Sequence, residues 1–167
     1  MIAPFPQDPP WLMAARLDLG TAELHGAPTA PKIAGWLMDL GAWWRDDETP
    51  WCGTAVAHWL KTAGQPLPEA WYRARAWADW GVAADCRALG AVAVFERAGG
   101  GHVGLLVGVD ADDHLMILGG NQGDAVRISP FDPARLVALR WPLATTAVVA
   151  LAPRLTLYGE PVSSNEA

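Results

Sequence analysis

The hydrophobic period of this 167-residue chain changes near Gly90. Before that point apolar residues recur at helical spacing, and after it they alternate in short runs rich in β-branched residues. The spacing predicts helices over residues 11–19, 32–40, 51–63 and 69–77, and strands over residues 91–95, 103–109, 114–119, 125–129 and 137–141. Helices followed by strands that short Gly- or Asp-rich turns connect indicate an α+β fold, with N-terminal helices packed on an antiparallel meander.

The length of the chain allows one ordinary domain that buries most of its own surface. Residues 1–9 are rich in proline and are predicted to form an extended N-terminal arm. Residues 10–142 hold the predicted helices and strands and form the domain. Residues 143–167 are predicted to add one strand, over residues 146–152, and a frayed C-terminal tail from Gly159.

Composition excludes several classes of function. The net charge of -6 leaves no electrostatic footprint for nucleic acid. No apolar run approaches the ~20 residues of a membrane span, and the first residues lack the pattern of a signal peptide, so we expect synthesis in the cytoplasm. Metal-binding spacings such as CxxC and HExxH are absent, and the acidic turn at residues 110–113 favours solvation over calcium binding, so no cofactor is predicted.

A helix-start signal surrounds one of the two cysteines. Thr49 can cap a helix N-terminus and Pro50 suits the first helical position, which places Cys52 in the first turn on the inward face. Backbone N–H groups and the helix dipole at that position favour a thiolate, the form that a cysteine nucleophile requires. The alternative is a small buried residue without chemistry. Cys86 has no helix-start signal and is interpreted as structural or incidental.

A predicted hairpin supplies partners for this cysteine. If residues 110–113 form its loop, Val109 faces His114, and counting the pairs back along both strands places His102 opposite Asn121. Directly opposed residues of an antiparallel pair project from the same face and can touch. A cysteine that attacks, a histidine that moves the proton and an asparagine that orients the imidazole form a known catalytic combination.

The third residue of this combination has alternatives. A register shift of one residue would turn Gly120 or Gln122 toward His102 instead, and Asp124 is a further candidate for the orienting role. Taken alone, His102 is equally typical of a half-buried strand residue, and Asn121 of a Gly-rich turn. Glycines on the predicted face of His102 leave room for the cysteine helix to approach: Gly104, Gly108 and Gly119.

Ten tryptophans are the one unusual feature of the composition. Core and interface packing accounts for most of them, and a groove for a sugar or peptide is the alternative. Trp51 and Trp44 are the candidates for such a groove, and we expect them to flank the cleft beside Cys52 and bind substrate.

Four segments together resemble the NlpC/P60 and CHAP superfamily of papain-like cysteine peptidases and amidases, and most of all a small phage- and prophage-associated subfamily. The resemblance covers residues 10–142 and rests on DETPWC at residues 47–52, GAVAVF at 90–95, GHVG at 101–104 and GGNQ at 119–122. It implies a papain-like α+β fold in which Cys52, His102 and Asn121 are catalytic. Many CHAP members carry a glutamate two residues before the asparagine, and this chain has Gly119 there.

The resemblance also implies a substrate, peptidoglycan. The expected activity is hydrolysis of a stem-peptide amide through an acyl-enzyme, as an endopeptidase or as an N-acetylmuramoyl-L-alanine amidase. An endolysin of this kind would reach the cell wall after host lysis, through a holin, or as part of a phage tail or secretion apparatus. Two alternatives use the same fold: a non-catalytic wall-binding or virion structural module, and a cysteine-dependent acyltransferase or deamidase.

Overall fold

Three α-helices precede a six-stranded antiparallel sheet in the computed structural model, which describes residues 7–24, 26, 28–84, 86–155 and 162–163. This architecture confirms the predicted α+β class. The helices are α1 (Pro10–Leu17), α2 (Pro31–Asp39) and α3 (Cys52–Thr62). The strands are β1 (Val82–Ala83), β2 (Val92–Arg97), β3 (Gly100–Val109), β4 (Leu115–Gly119), β5 (Arg127–Phe131) and β6 (Leu136–Trp141), with 3-10 turns at Ala74–Asp79 and Pro133–Arg135.

Proline and glycine set the ends of the helices. Pro10 and Pro31 occupy the first helical positions of α1 and α2, where the fixed φ of proline is already helical and its missing N–H costs nothing. Shortly after the three helices end, Gly20, Gly41 and Gly64 adopt positive φ angles of 86°, 71° and 72°. Glycine reaches this left-handed conformation without strain, so the helix boundaries follow from the sequence.

The start of α3 differs from the expected cap. Trp51 is the N-cap residue and provides no side-chain hydrogen bond to the helix. Thr49 instead donates both its N–H and its hydroxyl to the carboxylate of Asp46, each at 2.8 Å. These bonds lower the pKa of Asp46. Thr49 therefore shapes the loop before α3 and does not cap the helix.

Two other predicted elements are wrong. The helix expected over residues 69–77 is a run of turns followed by the 3-10 turn Ala74–Asp79. The strand expected over residues 146–152 is an extended segment that joins the fold through one bridge between Leu151 and Ala88. Of the predicted N-terminal arm and C-terminal tail, residues 1–6, 156–161 and 164–167 lie outside the described residues.

The strands follow the order β1-β6-β2-β3-β4-β5, so the sheet is a meander only from β2 to β5. The last strand crosses back to pair with β2 on the far side of the hairpin, with Val92 opposite Arg140 and Ala93 opposite Leu139. A simple meander was therefore the wrong expectation for β6. None of the helices in the described ranges has the length and apolar character that a bilayer crossing requires.

The register of β3 and β4 combines two irregularities. Val109 pairs with Leu115 rather than with His114, which shifts the start of the hairpin by one residue. An irregularity between Leu106 and Gly108 reverses this shift, so that Leu105 lies opposite Leu118, as the four-residue loop predicts. The ladder ends there because β4 stops at Gly119, while β3 extends back to Gly100. The first residues of β3 therefore lack β4 as a neighbour.

Candidate active site

Cys52 is the first residue of α3 and is 6% exposed. The next residue, Gly53, lies so close to the 71–72 loop that a Cβ would stand 2.7 Å from the carbonyl oxygens of Trp71 and Tyr72. Only glycine fits at this distance, so the loop is locked against the first turn of the helix. Cys52 and Cys86 are both free thiols, the first buried and the second exposed.

The sulfur of Cys52 lies beside the first residues of β3, which lack β4 as a neighbour. Leu106 donates its N–H toward β2, to the carbonyl of Ala91, at 2.9 Å. Backbone N–H groups alternate in direction along a strand. The N–H of Val103 therefore points away from β2, to the side where β4 would continue if it did not end at Gly119. The N–H groups of Val103 and Gly53 both approach the sulfur closely enough to stabilise its charged form.

Burial outweighs these favourable contacts. Removal from water raises the pKa of the Cys52 thiol above its ordinary value, and the N–H groups of Val103 and Gly53 and the charge of Arg97 offset this only in part. The sequence predicted that the helix start favours a thiolate. In the structure the resting form near neutral pH is the thiol, because desolvation is the larger effect.

His102 lies on β3 directly before Val103 and is 1% exposed. It stands opposite Phe95 on β2, and its ring stacks on Phe131 of β5 with centroids 5.2 Å apart and planes 19° apart. Phe95 and Phe131 also contact each other, at 4.6 Å between centroids. The imidazole is therefore held by aromatic packing across three strands.

The ring is also hydrogen-bonded to Gln122, whose Oε1 lies 3.0 Å from His102 Nε2. The amide nitrogen of Gln122 donates to the carbonyl oxygens of Ile117, at 3.2 Å, and Arg127, at 2.8 Å. Because these two acceptors require the nitrogen on their side, the amide oxygen must face the histidine. Nε2 then carries the hydrogen of the neutral ring, and Nδ1 is its basic atom.

Gly119 makes this contact sterically feasible. A Cβ at residue 119 would lie 2.4 Å from Gln122 Oε1 and 3.0 Å from His102 Nε2. The amide of Gln122 thus occupies the space that a side chain at residue 119 would fill. The contact between Gln122 and His102 therefore depends on the glycine at residue 119.

The structure does not place Asn121 against His102. Beyond Gly119 the chain leaves the ladder, and Asn121 adopts a left-handed conformation with φ 55°. It is 5% exposed, and its side chain forms no hydrogen bond with any residue in the described ranges. The expected contact thus passes to Gln122, the residue that a shift of one position would bring there. Asp124 also has a positive φ, 58°, and its carbonyl accepts from the N–H of Glu23.

Among the described residues, no hydrogen bond joins the Cys52 sulfur to the imidazole of His102. The sulfur instead faces the N–H of Val103, the next residue along β3. Hydrogen bonds between a nucleophile and its base are often long before substrate binds. The structure therefore brings Cys52 beside the strand of His102, and His102 into contact with Gln122.

The two expected substrate-binding tryptophans occupy different environments. Trp51 is 1% exposed, donates its indole N–H to Glu23, and packs so tightly that a Cβ on Gly120 would lie 2.6 Å from its ring. A surface ligand cannot reach it in this position. Trp44 is half-buried, and its ring stacks on that of Trp71 with centroids 5.7 Å apart. Of the pair, only Trp44 lies where a ligand could contact it.

The acidic turn between β3 and β4 is organised by its own hydrogen bonds. The carboxylate of Asp110 accepts from the N–H groups of Asp112 and His114, both at 2.9 Å, and lies 2.9 Å from the His114 ring. Oxygen and nitrogen atoms of these three side chains lie within 4.8 Å of one another. This geometry accounts for the turn without a metal ion.

Comparisons with protein-family models, with curated proteins and with solved structures give no match to this chain.

Proposed function

We propose that this protein is a cysteine peptidase or amidase of the NlpC/P60 and CHAP type, with a papain-like fold, that hydrolyses an amide bond of peptidoglycan. The observation that carries the proposal is the position of Cys52. It lies at the start of α3 with its sulfur beside the N–H of Val103, and Val103 follows His102 directly on β3. Within the described residues, His102 is the buried histidine of the sheet and has a fixed tautomer. Packing alone does not require a nucleophile, a base and an orienting amide at one strand end.

The first chemical step follows from the resting state of the site. Because burial keeps the Cys52 sulfur protonated, His102 must accept its proton through Nδ1 as the sulfur attacks the amide carbonyl carbon. A carbon–sulfur bond forms, and the carbonyl oxygen becomes an oxyanion. The backbone N–H of Cys52 at the helix start contributes to its stabilisation. Gln122 keeps the imidazole in the tautomer that this transfer needs.

The second half of the reaction returns the site to its starting state. The imidazolium of His102 protonates the amine nitrogen as the carbon–nitrogen bond breaks, which leaves a thioester on Cys52. His102 then removes a proton from water, whose oxygen attacks the thioester carbon. The carbon–sulfur bond breaks, and the imidazolium returns its proton to the Cys52 sulfur. The products are a carboxylate, a free amine and the regenerated thiol.

Digestion of isolated cell walls tests this function. The wild-type protein, Cys52→Ala and the matched control Cys86→Ala are incubated with purified walls, and the fragments are identified by mass spectrometry. New amino termini within the stem indicate an endopeptidase, and free lactyl carboxylates on muramic acid indicate an amidase. We expect the wild type and Cys86→Ala to release the same fragments and Cys52→Ala to release none. Equal release by Cys52→Ala would exclude the mechanism.

A further inference from the structure

A recess lined by aromatic side chains opens beside the start of α3. Its cavity has a volume of about 220 Å³, and we call it the aromatic recess. Trp43 and Trp44 come from the loop after α2, and Tyr72 comes from the loop after α3. The residues that line it are Trp43, Trp44, Thr49, Pro50 and Tyr72.

The walls of the aromatic recess are fixed relative to Cys52. Pro50 precedes Cys52 by two residues, so their Cα atoms lie at most about 7 Å apart. On the other wall, the carbonyl of Tyr72 packs directly on Gly53, with no space even for a Cβ. The aromatic recess is therefore attached on two sides to the helix start that carries Cys52.

Trp43 packs against two aromatic rings and is nevertheless exposed to solvent. Its ring makes edge contacts with Trp44, at 4.6 Å between centroids, and with Tyr72, at 5.0 Å. Despite these contacts the residue is 75% exposed. Large apolar side chains that stay exposed in an aromatic cluster are typical of ligand-binding surfaces, because the core does not account for their position.

The lining of the recess is uncharged, which distinguishes between the two parts of the proposed substrate. A stem peptide carries several carboxylates, and their binding favours arginine or lysine side chains. The recess offers aromatic rings and the Thr49 hydroxyl, which donates its hydrogen to Asp46 and whose oxygen can still accept. Apolar ring faces with few polar groups suit the C–H face and hydroxyl groups of a sugar.

We propose that the aromatic recess binds a pyranose ring of the glycan strand, an inference that rests on the proposed function. A sugar next to Cys52 selects one of the two candidate bonds: the amide between the lactyl group of muramic acid and the first residue of the stem. Hydrolysis then adds the oxygen of water to the lactyl carbonyl carbon, and the stem leaves with a free amine at its first residue.

Binding without turnover tests the recess separately from the chemistry. An oligomer of β-1,4-linked N-acetylglucosamine and a synthetic stem peptide are each titrated by calorimetry into Cys52→Ala protein. We expect the glycan to bind, and Trp43→Ala to weaken its binding by at least about tenfold. Leu151→Ala, which removes another exposed apolar side chain from a different cavity, should leave binding unchanged. Unchanged glycan binding in Trp43→Ala, or binding of the stem peptide alone, would overturn the proposal.

Kinetics on intact walls give a second readout. We expect Trp43→Ala to raise KM for walls by about tenfold with little change in kcat, and the products to be free lactyl carboxylates. Cleavage within the stem would overturn the sugar assignment while leaving the hydrolase intact. Glycan binding that depends on Trp43 in a protein that cleaves no walls would instead retain the recess and reject the proposed hydrolysis. The melting temperature of each variant shows that loss of function is not loss of fold.

Discussion

His102 Nε2 and Gln122 Oε1 lie 3.0 Å apart, and the amide that makes this contact is itself fixed by two backbone carbonyls. A neutral imidazole with its hydrogen on Nε2 follows from this arrangement. The same arrangement connects the end of β4 with the start of β5, since Gln122 bonds to Ile117 on one side and Arg127 on the other. The orientation of His102 and the pairing of two strands therefore depend on one side chain.

Replacement of Gln122 separates it from its neighbour Asn121. We expect Gln122→Ala to reduce kcat for wall hydrolysis by about 10²-fold, because the imidazole loses the acceptor that fixes its tautomer. The loss of the hydrogen bonds that its amide makes to His102 and to two backbone carbonyls should also destabilise the fold by about 1–3 kcal/mol. Asn121→Ala, the matched control, should retain most of the activity. Steady-state rates at saturating substrate, with urea unfolding for stability, measure both effects. The opposite order of activities would return the orienting role to Asn121.

A methyl group at residue 119 should act on the same contact. In Gly119→Ala the new Cβ would overlap Gln122 Oε1 at 2.4 Å, so one of the two side chains must move. We expect a loss of about 1–3 kcal/mol in stability and a fall in kcat similar to that of Gln122→Ala. Gly35→Ala is the control, because its Cβ would meet open space on the exposed side of α2 and should stabilise the helix by up to about 1 kcal/mol. Equal behaviour of the two variants would refute the packing argument.

The pKa of the Cys52 thiol predicts its alkylation profile. Because only the thiolate reacts and burial raises this pKa, the rate with iodoacetamide should keep rising at pH values above those where an exposed thiol reaches its plateau. The positive charge of Arg97 lowers the pKa of the Cys52 thiol and so offsets part of the effect of burial. Arg97→Gln should therefore shift the alkylation profile to still higher pH. Arg87→Gln is the control for loss of a surface charge. Mass spectrometry of the separate Cys52 and Cys86 peptides measures each rate. If the alkylation rate of Cys52 reached its plateau at a lower pH than that of Cys86, the result would contradict the role of burial.

His58 should make the stability of the fold depend on pH. Burial lowers its pKa below the ordinary value of 6.5, although Asp18 and Asp39 act in the opposite direction, and Lys32 and Lys61 add to the lowering. The unfolded chain then binds more protons than the folded one in the window below pH 6.5, so the free energy of unfolding should fall as the pH drops through that window.

The variant His58→Phe isolates this effect. In the wild type the ring of His58 stacks on that of Trp36 with centroids 5.0 Å apart. Phenylalanine keeps an aromatic ring in this position but has no titratable group. Urea midpoints between pH 7.5 and pH 5 should therefore fall less steeply in His58→Phe than in the wild type. Identical slopes would show that other groups control the acid side of the stability curve.

The sequence patterns predict local structure better than they predict long-range pairing. The helix bounds follow from proline and glycine positions, and Leu105 lies opposite Leu118 as the hairpin loop indicates. That agreement depends on two shifts that cancel, at the turn and at the bulge near Val107. The return of β6 to β2 leaves no local signal, because it is decided by packing between distant segments.

The candidate site shows the same division. The helix pattern alone locates Cys52, and the strand pattern locates His102. The strand pattern predicts that β4 ends at residue 119, as the structure has it. The pattern cannot show how the chain turns after Gly119, and that path decides whether residue 121 or residue 122 faces the imidazole. Asn121 and Asp124 both adopt left-handed conformations after Gly119, and Asn and Asp are among the residues that tolerate this conformation in turns. The burial of Trp51 and the resting thiol likewise depend on neighbours that are distant in sequence.

Trapping the covalent intermediate tests the central claim that Cys52 forms an acyl-enzyme. The protein is mixed with a soluble muramoyl peptide, quenched with acid within the first turnover, digested and analysed by mass spectrometry. We predict an added acyl mass on the peptide that contains Cys52, absent in Cys52→Ala and in a sample allowed to complete the reaction. Hydrolysis that proceeds with no adduct on Cys52, or with an adduct on another residue, would contradict the mechanism.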